Sequence, residues 1–185
     1  MKTPVAGLAG CAVFFGMTFL VGVLPDTLYS LLFCRMSAEI AAAFFHAGVD
    51  GTALVLGSGR VVAVTRECGG SDFFALACAV LTWHTVRRKG AVMPLLLGWC
   101  GAWGLTLLTN GMRVIVTVWT RASVECFLPE RYYGAVHLAS GVLVFFPALI
   151  LLWWVCVRHD LSARTETGDL NLATGDLMDN TSERE

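Results

Sequence analysis

The chain has 185 residues, of which 56% are hydrophobic and 15% are charged, and its formal net charge is -1. Soluble domains carry about a quarter charged residues, so this chain has too few charges to cover a soluble globule of its length. The near-neutral balance also argues against a nucleic acid partner, because proteins that bind nucleic acid usually carry a basic surface. The composition therefore predicts an integral membrane protein whose partners include membrane lipids.

Four apolar runs are long enough to cross a bilayer, which takes about 20 residues. The first run has no charge between Lys2 and Asp26. It could be a signal peptide, but its length and the lack of a small-residue cleavage site favour a retained helix. The predicted spans are residues 4–25, 69–86, 91–119 and 132–157. Glycines give the third span a small face suited to close helix packing, at Gly98, Gly101 and Gly104.

Basic residues set the predicted orientation, because cytoplasmic loops are enriched in lysine and arginine. A basic link joins the second and third spans, and further basic residues flank the first and fourth: Arg87, Arg88, Lys89, Lys2 and Arg158. All are cytoplasmic if both termini lie inside. We therefore expect one transmembrane domain, residues 1–157, in the cell (inner) membrane. The polar, acidic segment 158–185 is expected to be a disordered cytoplasmic tail.

The segment 26–67 is expected to face the extracytoplasmic side. Its first part mixes apolar and charged residues at helical spacing, which predicts an amphipathic helix at the membrane interface. Asp50-Gly51 is a turn signal, and Gly57-Ser58-Gly59 separates the β-rich runs 52–56 and 60–65. The predicted fold class is an all-α integral membrane protein of about four transmembrane helices, with an extracytoplasmic amphipathic helix and a small β-hairpin between the first two.

The seven cysteines show no CxxC pair and no zinc-type spacing, so we expect neither a metal nor a cofactor. Four of them lie in apolar runs, where a thiol acts as a small hydrophobe: Cys11, Cys78, Cys100 and Cys156. The others lie near polar sequence: Cys34, Cys68 and Cys126.

Three polar residues on three different spans are expected to lie at one depth. Cys68 opens the second span at its outer end. Arg113 follows Ala91 by 22 residues, which is about 33 Å of helix and roughly one hydrocarbon thickness. His137 lies six residues beyond Arg131, again near the outer face. Ionisable residues inside membrane spans are costly and indicate function.

The three residue types suit nucleophilic catalysis. A helix N-terminus and a nearby cation favour the thiolate, which would make Cys68 the nucleophile. His137 would move a proton to the leaving amine, and Arg113 would stabilise an oxyanion. Asn110, on the same helix face as Arg113, could orient it. Asp72, one turn below Cys68, is expected to pair with Arg113 or to cap the helix.

Each residue also has a purely structural interpretation. Cys68 could be an inert interfacial thiol. Arg113 could be an anchor whose side chain reaches the interface. His137 could be an interfacial histidine bonded to a carbonyl. Their common depth favours the catalytic interpretation.

Three short motifs resemble those of the exosortase/archaeosortase family. Arg66-Glu67-Cys68-Gly69-Gly70-Ser71-Asp72-Phe73 resembles the family's cysteine motif, although Cys-Gly-Gly replaces Cys-Ser-Gly. Asn110-Gly111-Met112-Arg113-Val114-Ile115 is similar to its N-x-x-R-[IV] motif, and His137-Leu138-Ala139-Ser140-Gly141 resembles its histidine motif. Their order agrees with the family over roughly Gly51 to Val157. The short chain looks most like the compact exosortase K branch.

The resemblance implies a sorting enzyme with Cys68, Arg113 and His137 as its catalytic set. Its substrates would be exported proteins with a C-terminal motif, a transmembrane helix and a basic tail. Cleavage at the motif would be followed by hydrolysis or by transfer to an acceptor. Two other classes stay open from the residues alone: a quinone-linked thiol oxidoreductase and a non-catalytic membrane assembly subunit.

Overall fold

The computed structural model describes residues 3–88, 92–124, 127, 129 and 132–182. The helices in those residues are α1 (Thr3–Gly22), α2 (Asp26–Tyr29), α3 (Met36–Phe45), α4 (Ser71–Arg87), α5 (Val92–Val124) and α6 (Tyr133–Ser182). A π-helical stretch, Ser30–Arg35, joins α2 to α3, and a 3₁₀ turn, Arg66–Cys68, precedes α4. Lys2, Lys89, Cys126 and Arg131 lie outside the described residues.

Within the described residues, four helices are long and apolar enough to cross a membrane: Pro4–Gly22, Asp26–Phe45, Val92–Arg121 and Gly134–Arg158. They and a small sheet confirm the predicted fold class. The predicted span 69–86 corresponds to α4, which starts at Ser71 and has 17 residues. Asp26–Phe45, predicted as an interfacial helix, is also long and apolar enough to cross a membrane, and the bounds of the spans stay a prediction. The charges of Asp26–Phe45 are few, and Arg35 and Glu39 pair with each other one turn apart at 3.0 Å.

One part of the bundle is made by α1, α4 and α5. Gly10 of α1 lies so close to α4 that a Cβ there would approach the Ala79 carbonyl oxygen and the Trp83 Cβ at 3.3 Å. On the other side of α4, Trp99 of α5 donates to the Thr82 hydroxyl at 3.1 Å. Small residues and interhelical hydrogen bonds are what hold helices together in lipid, where the hydrophobic effect between them is absent.

A second part contains a three-stranded antiparallel sheet in the order β1-β2-β3: Gly48–Asp50, Ala53–Val55 and Val61–Ala63. The β2–β3 hairpin is the one predicted around Gly57-Ser58-Gly59, and it closes with Leu56 N–H donating to the Arg60 carbonyl at 2.9 Å. Gly51 and Gly59 take the positive φ values, +61° and +79°, that the two turns require. β1 was not predicted, because Gly-Val-Asp shows no apolar alternation.

The hydrophobic core lies around this sheet. It joins the helical segment 26–45, the sheet and the C-terminal half of α5 through buried residues that include Tyr29, Phe33, Leu54, Val64 and Ile115. In contrast, the four long helices expose many large apolar side chains, among them Leu8, Phe15, Phe19, Leu97, Leu143 and Ile150. Such side chains suit contact with lipid.

The chain divides into two compact units, Met1–Leu149 and Ile150–Glu185. The first holds the sheet, the core and α1 to α5. The second consists of the C-terminal part of α6, whose helical backbone extends to Ser182. Residues 158–182 of this helix belong to the segment that the composition indicated as disordered. The tail's disorder and cytoplasmic location stay predictions.

Candidate active site

Cys68 lies at the end of a 3₁₀ turn that several hydrogen bonds hold in place. The turn forms because the amides of Cys68 and Gly69 donate to the carbonyls of Thr65 and Arg66, at 2.9 and 3.1 Å. Arg66 in turn caps the end of α1, donating to the carbonyls of Val21 and Gly22 at 3.1 and 2.8 Å. The turn therefore holds the cysteine in a defined place at the level where α1 ends.

Two features next to Cys68 explain the glycines that follow it. The Tyr29 hydroxyl donates to the Arg66 carbonyl at 3.0 Å, and a Cβ on Gly69 would overlap that hydroxyl. Gly70 has a φ of +73° and is the N-cap of α4. The expected position of Cys68 at the opening of the helix is thus corrected by three residues. α4 begins at Ser71, and the intervening glycines turn the chain from the 3₁₀ turn into the helix.

The three predicted catalytic residues converge on one atom, Nε2 of His137. The Cys68 Sγ lies 3.2 Å from it, and the Arg113 Nη2 lies 2.8 Å from it. Three separate elements supply these groups: the turn before α4, the C-terminal half of α5 and the first turns of α6. Arg113 is 9% exposed, while Cys68 and His137 are half-buried.

The protonation pattern follows from the arginine. A guanidinium can only donate, so Nε2 must accept from Arg113, and the neutral imidazole then carries its proton on Nδ1. The Cys68 thiol can share the same acceptor, and the Thr65 hydroxyl donates toward its sulfur at 3.5 Å. The arrangement is a neutral histidine whose lone pair faces the thiol, which is what a general base for the thiol requires.

Neighbouring residues fix Arg113 and His137. The Ser140 hydroxyl donates to the His137 carbonyl at 2.7 Å and lies 2.9 Å from the Thr117 hydroxyl, which ties α6 to α5. Gly141 lies directly against the guanidinium: a Cβ there would approach Arg113 Nε at 3.2 Å. The Phe145 ring lies on another side, 5.4 Å from Arg113 Cζ.

The two supporting residues are placed differently from the sequence prediction. Asn110 is fully buried and lines the same cavity as Arg113, but its amide donates to the Ser37 hydroxyl at 3.0 Å and not to the arginine. Asp72 lies exposed in the first turn of α4 and, within the described part of the chain, neither pairs with Arg113 nor caps the helix. Its carboxylate there still suits the positive end of the helix dipole.

Sequence reasoning missed Thr65, Tyr29, Arg66 and Ser140, whose hydroxyl and guanidinium contacts hold the site together. Residue type alone gave no signal for the first three, since each acts through a neighbour distant in sequence or through a turn. Gly141 did carry a signal, because it follows His137 by four residues on one helix face.

Two cavities meet at the site. A small one of about 30 Å³ is lined by Cys68, Asn110, Arg113, Thr117, His137 and residues of β3. A large groove of about 730 Å³ runs between α4 and α6, with polar residues at one end and apolar ones such as Phe73, Leu138 and Phe146 along it. Arg113 lines both.

Residues 3–154 of the chain match the family model described as transmembrane exosortase (Exosortase_EpsH). No curated protein and no solved structure gives a significant match. The matched residues make up most of the chain and include the turn with Cys68, the arginine of α5 and the histidine of α6. The chain belongs to the transmembrane exosortase family.

Proposed function

We propose that the protein is a membrane-embedded cysteine endopeptidase that cleaves C-terminal sorting signals from exported proteins and passes the acyl group to water or to an acceptor amine. The observation that carries the proposal is the convergence of the Cys68 thiol and the Arg113 guanidinium on one nitrogen of His137. The few helices ahead of Cys68 support placement with the compact exosortase K branch, although Cys-Gly-Gly departs from the family's Cys-Ser-Gly.

The geometry suggests a sequence of proton movements. The Cys68 thiol gives its proton to His137 Nε2, and the thiolate attacks the carbonyl carbon of the scissile peptide bond. The imidazolium then returns the proton to the leaving amine, and the C–N bond breaks to leave a thioester on Cys68. Water or an amine attacks the thioester, loses a proton to His137 and releases the thiol.

Arg113 would act at the first of these steps. Once Nε2 takes the proton, it no longer accepts from Arg113, and two neighbouring cations repel each other. The guanidinium N–H is therefore freed when negative charge develops on the carbonyl oxygen. A buried donor aimed at that oxygen is the type of group that stabilises such intermediates. Arg113 is held within reach by Gly141 and Phe145.

The orientation of the site rests on α4. Arg87 and Arg88 lie at its C-terminal end and Cys68 precedes its N-terminal end, about 25 Å away at about 1.5 Å per residue. With the basic end cytoplasmic, Cys68 faces the extracytoplasmic side of the inner membrane and both termini lie inside. A substrate anchored by its own helix would present its motif at that face, which removes much of the entropic cost of encounter.

This orientation also requires that the apolar helix Asp26–Phe45 stay on the outer side. Its start is bonded there, since Asp26 accepts from Arg66 at 2.6 Å, next to the end of α1. Its later part packs on the outer half of α5, where Ile40 covers Gly111, and on the sheet. These contacts support a helix that covers the outer end of the bundle instead of returning to the cytoplasm.

The test compares the C-termini of exported proteins in native cells carrying the wild-type chain, Cys68→Ala or Cys34→Ala. C-terminal peptide mass spectrometry should find exported proteins that lose their C-terminal helix in wild-type cells and keep it in Cys68→Ala cells. Cys34→Ala should behave as wild type, because its buried thiol contacts the Thr65 carbonyl and not His137.

The same comparison separates the alternatives. A thiol oxidoreductase needs a second cysteine, so loss of function in both variants, or in Cys126→Ala, would favour it. A non-catalytic assembly subunit would leave every C-terminus unchanged in Cys68→Ala cells, and that result would refute the proposal.

A further inference from the structure

The strand β3 is an edge strand, and its register shows which of its backbone groups face outward. Leu56 N–H donates to the Arg60 carbonyl and Val64 N–H to the Thr52 carbonyl. Because pairing alternates along an antiparallel ladder, Arg60, Val62 and Val64 direct their backbone groups toward β2. Val61 and Ala63 therefore direct their N–H and C=O groups away from the sheet.

No other described residue forms a backbone hydrogen bond with these N–H and C=O groups. Val61 is 63% exposed and Ala63 is exposed as well, and neither backbone makes a hydrogen bond at the outer edge within the described part of the chain. The edge closes at Thr65, whose carbonyl accepts from the Cys68 amide and the Cys34 thiol. The open row thus ends where the turn with Cys68 begins.

The edge lies along the approach to the candidate nucleophile. The small cavity beside Cys68 is bounded by Val62, Ala63 and Val64. A second cavity of about 180 Å³ is bounded by Val61, Val62 and Val118 of α5, among others. Val62 lines both cavities, so open space lies beside β3 both at Val61 and next to the thiol.

We propose that the open edge of β3 binds the extended segment of the exported substrate next to the scissile bond, which adds to the sheet as a fourth strand. This inference rests on the proposed function. An alternating row of unpaired N–H and C=O groups is complementary to a peptide backbone, and lipid acyl chains cannot satisfy it. The peptide forms up to two hydrogen bonds with Val61 and two with Ala63, and its next residues reach Cys68.

Proline substitutions test the edge without breaking the sheet. Val61→Pro and Ala63→Pro each remove one outward N–H and leave the bonds to β2, which proline tolerates on an edge strand. The control is Val49→Pro, because Val49 pairs with Leu54 and its N–H faces the opposite, outer edge of β1. Folding of each variant is checked by the rate at which a small thiol reagent labels Cys68.

The substrate is the exported protein that keeps its C-terminus in Cys68→Ala cells, and its rate of processing is measured in matched membranes. Each proline should lower the rate about 2- to 10-fold, the effect of one lost hydrogen bond, and the double variant should lower it by about the product. Val49→Pro should process at the wild-type rate. Normal processing by the double variant would overturn the docking while leaving the peptidase intact.

A photo-crosslinking amino acid at position 61, in the Cys68→Ala background, identifies the occupant. It should attach to the same precursor, beside the residues that wild type cleaves. Attachment to a second copy of this chain instead would mean that the edge pairs between copies and would overturn the proposal. If Cys68→Ala cells process every exported protein normally, the proposed function fails, and the docking fails with it.

Discussion

Gly141→Ala should lower catalysis without lowering stability. The new Cβ would lie 3.2 Å from Arg113 Nε and 3.5 Å from its Cζ. Carbon and nitrogen atoms in ordinary contact are about 3.5 Å apart or more, so the guanidinium must move by a few tenths of an ångström. The guanidinium is buried and lies between His137 and Phe145, so it cannot move away without changing its bond to the histidine.

The expected size follows from the bond that Arg113 would make to the oxyanion. Arg113 Nη2 lies 2.8 Å from His137 Nε2 in the resting site, and a displaced guanidinium would meet the oxyanion at a poorer distance and angle. A hydrogen bond to a charged group contributes about 1.5–3 kcal/mol, which is about 10- to 150-fold in rate. Alanine should meanwhile favour the helix by about 0.5–1 kcal/mol over glycine.

The assay measures processing per folded protein together with the unfolding temperature in detergent. Gly134→Ala is the matched control, because Gly134 lies in the same helix and a Cβ there would meet nothing within 4 Å. Gly141→Ala should be slow and at least as stable as wild type, while Gly134→Ala should be active. A fully active Gly141→Ala enzyme would show that the position of the guanidinium does not limit the reaction.

Three further predictions concern the site and its orientation. A membrane-impermeant thiol reagent should label Cys68 faster than the buried Cys34, and the Cys34→Ala and Cys126→Ala variants should keep full processing. If Cys126→Ala lost processing while Cys68→Ala retained it, the nucleophile would be misassigned. Immunoblots of membrane fractions should show that Arg113→Lys and His137→Ala both insert normally, yet both should process substrate slowly: a lysine ammonium reproduces the fork geometry of arginine poorly, and His137→Ala loses general base catalysis, which costs about 10²–10⁴-fold in rate. Near-normal rates per folded protein would mean that the three residues are not a catalytic set. Reporter fusions near Ser58 and in the tail should report the outside and the inside of the membrane, and an extracytoplasmic tail would place the site on the wrong face.

The convergence of Cys68, Arg113 and His137 could be predicted from the sequence because depth in a membrane follows from counting residues. A helix rises about 1.5 Å per residue and its ends are marked by charges, so each residue could be assigned a level. Counting residues could not predict which neighbouring helix a given side chain contacts. Asn110 shares a face with Arg113, yet Ser37 of α3 takes its amide, since only the packing decides which helix covers that face.

The glycines show the same limit to counting. Gly98, Gly101 and Gly104 form a regular small face, but only Gly98 packs near α4, where a Cβ would lie 3.7 Å from the Leu81 side chain, and a Cβ on either of the other two would meet nothing within 4 Å. The close approaches lie at glycines without any regular spacing. A Cβ on Gly111 would come within 2.6 Å of Ile40, and one on Gly69 would overlap Tyr29. Spacing identifies a surface that permits contact, and the folded chain determines which part of it is used.

The position of Arg113 has a consequence for the way in which a substrate can enter. The cavity beside Cys68, about 30 Å³, has room for about one or two water molecules, so a peptide carbonyl can reach the thiol only if its flanking chain lies outside. Arg113 lines both this cavity and the groove between α4 and α6. A carbonyl that comes from the groove therefore passes the guanidinium, and one that comes along β3 meets it in the cavity that both groups line. Arg113 would contact the carbonyl oxygen by either route, which is why we expect its geometry, more than its charge alone, to control the rate.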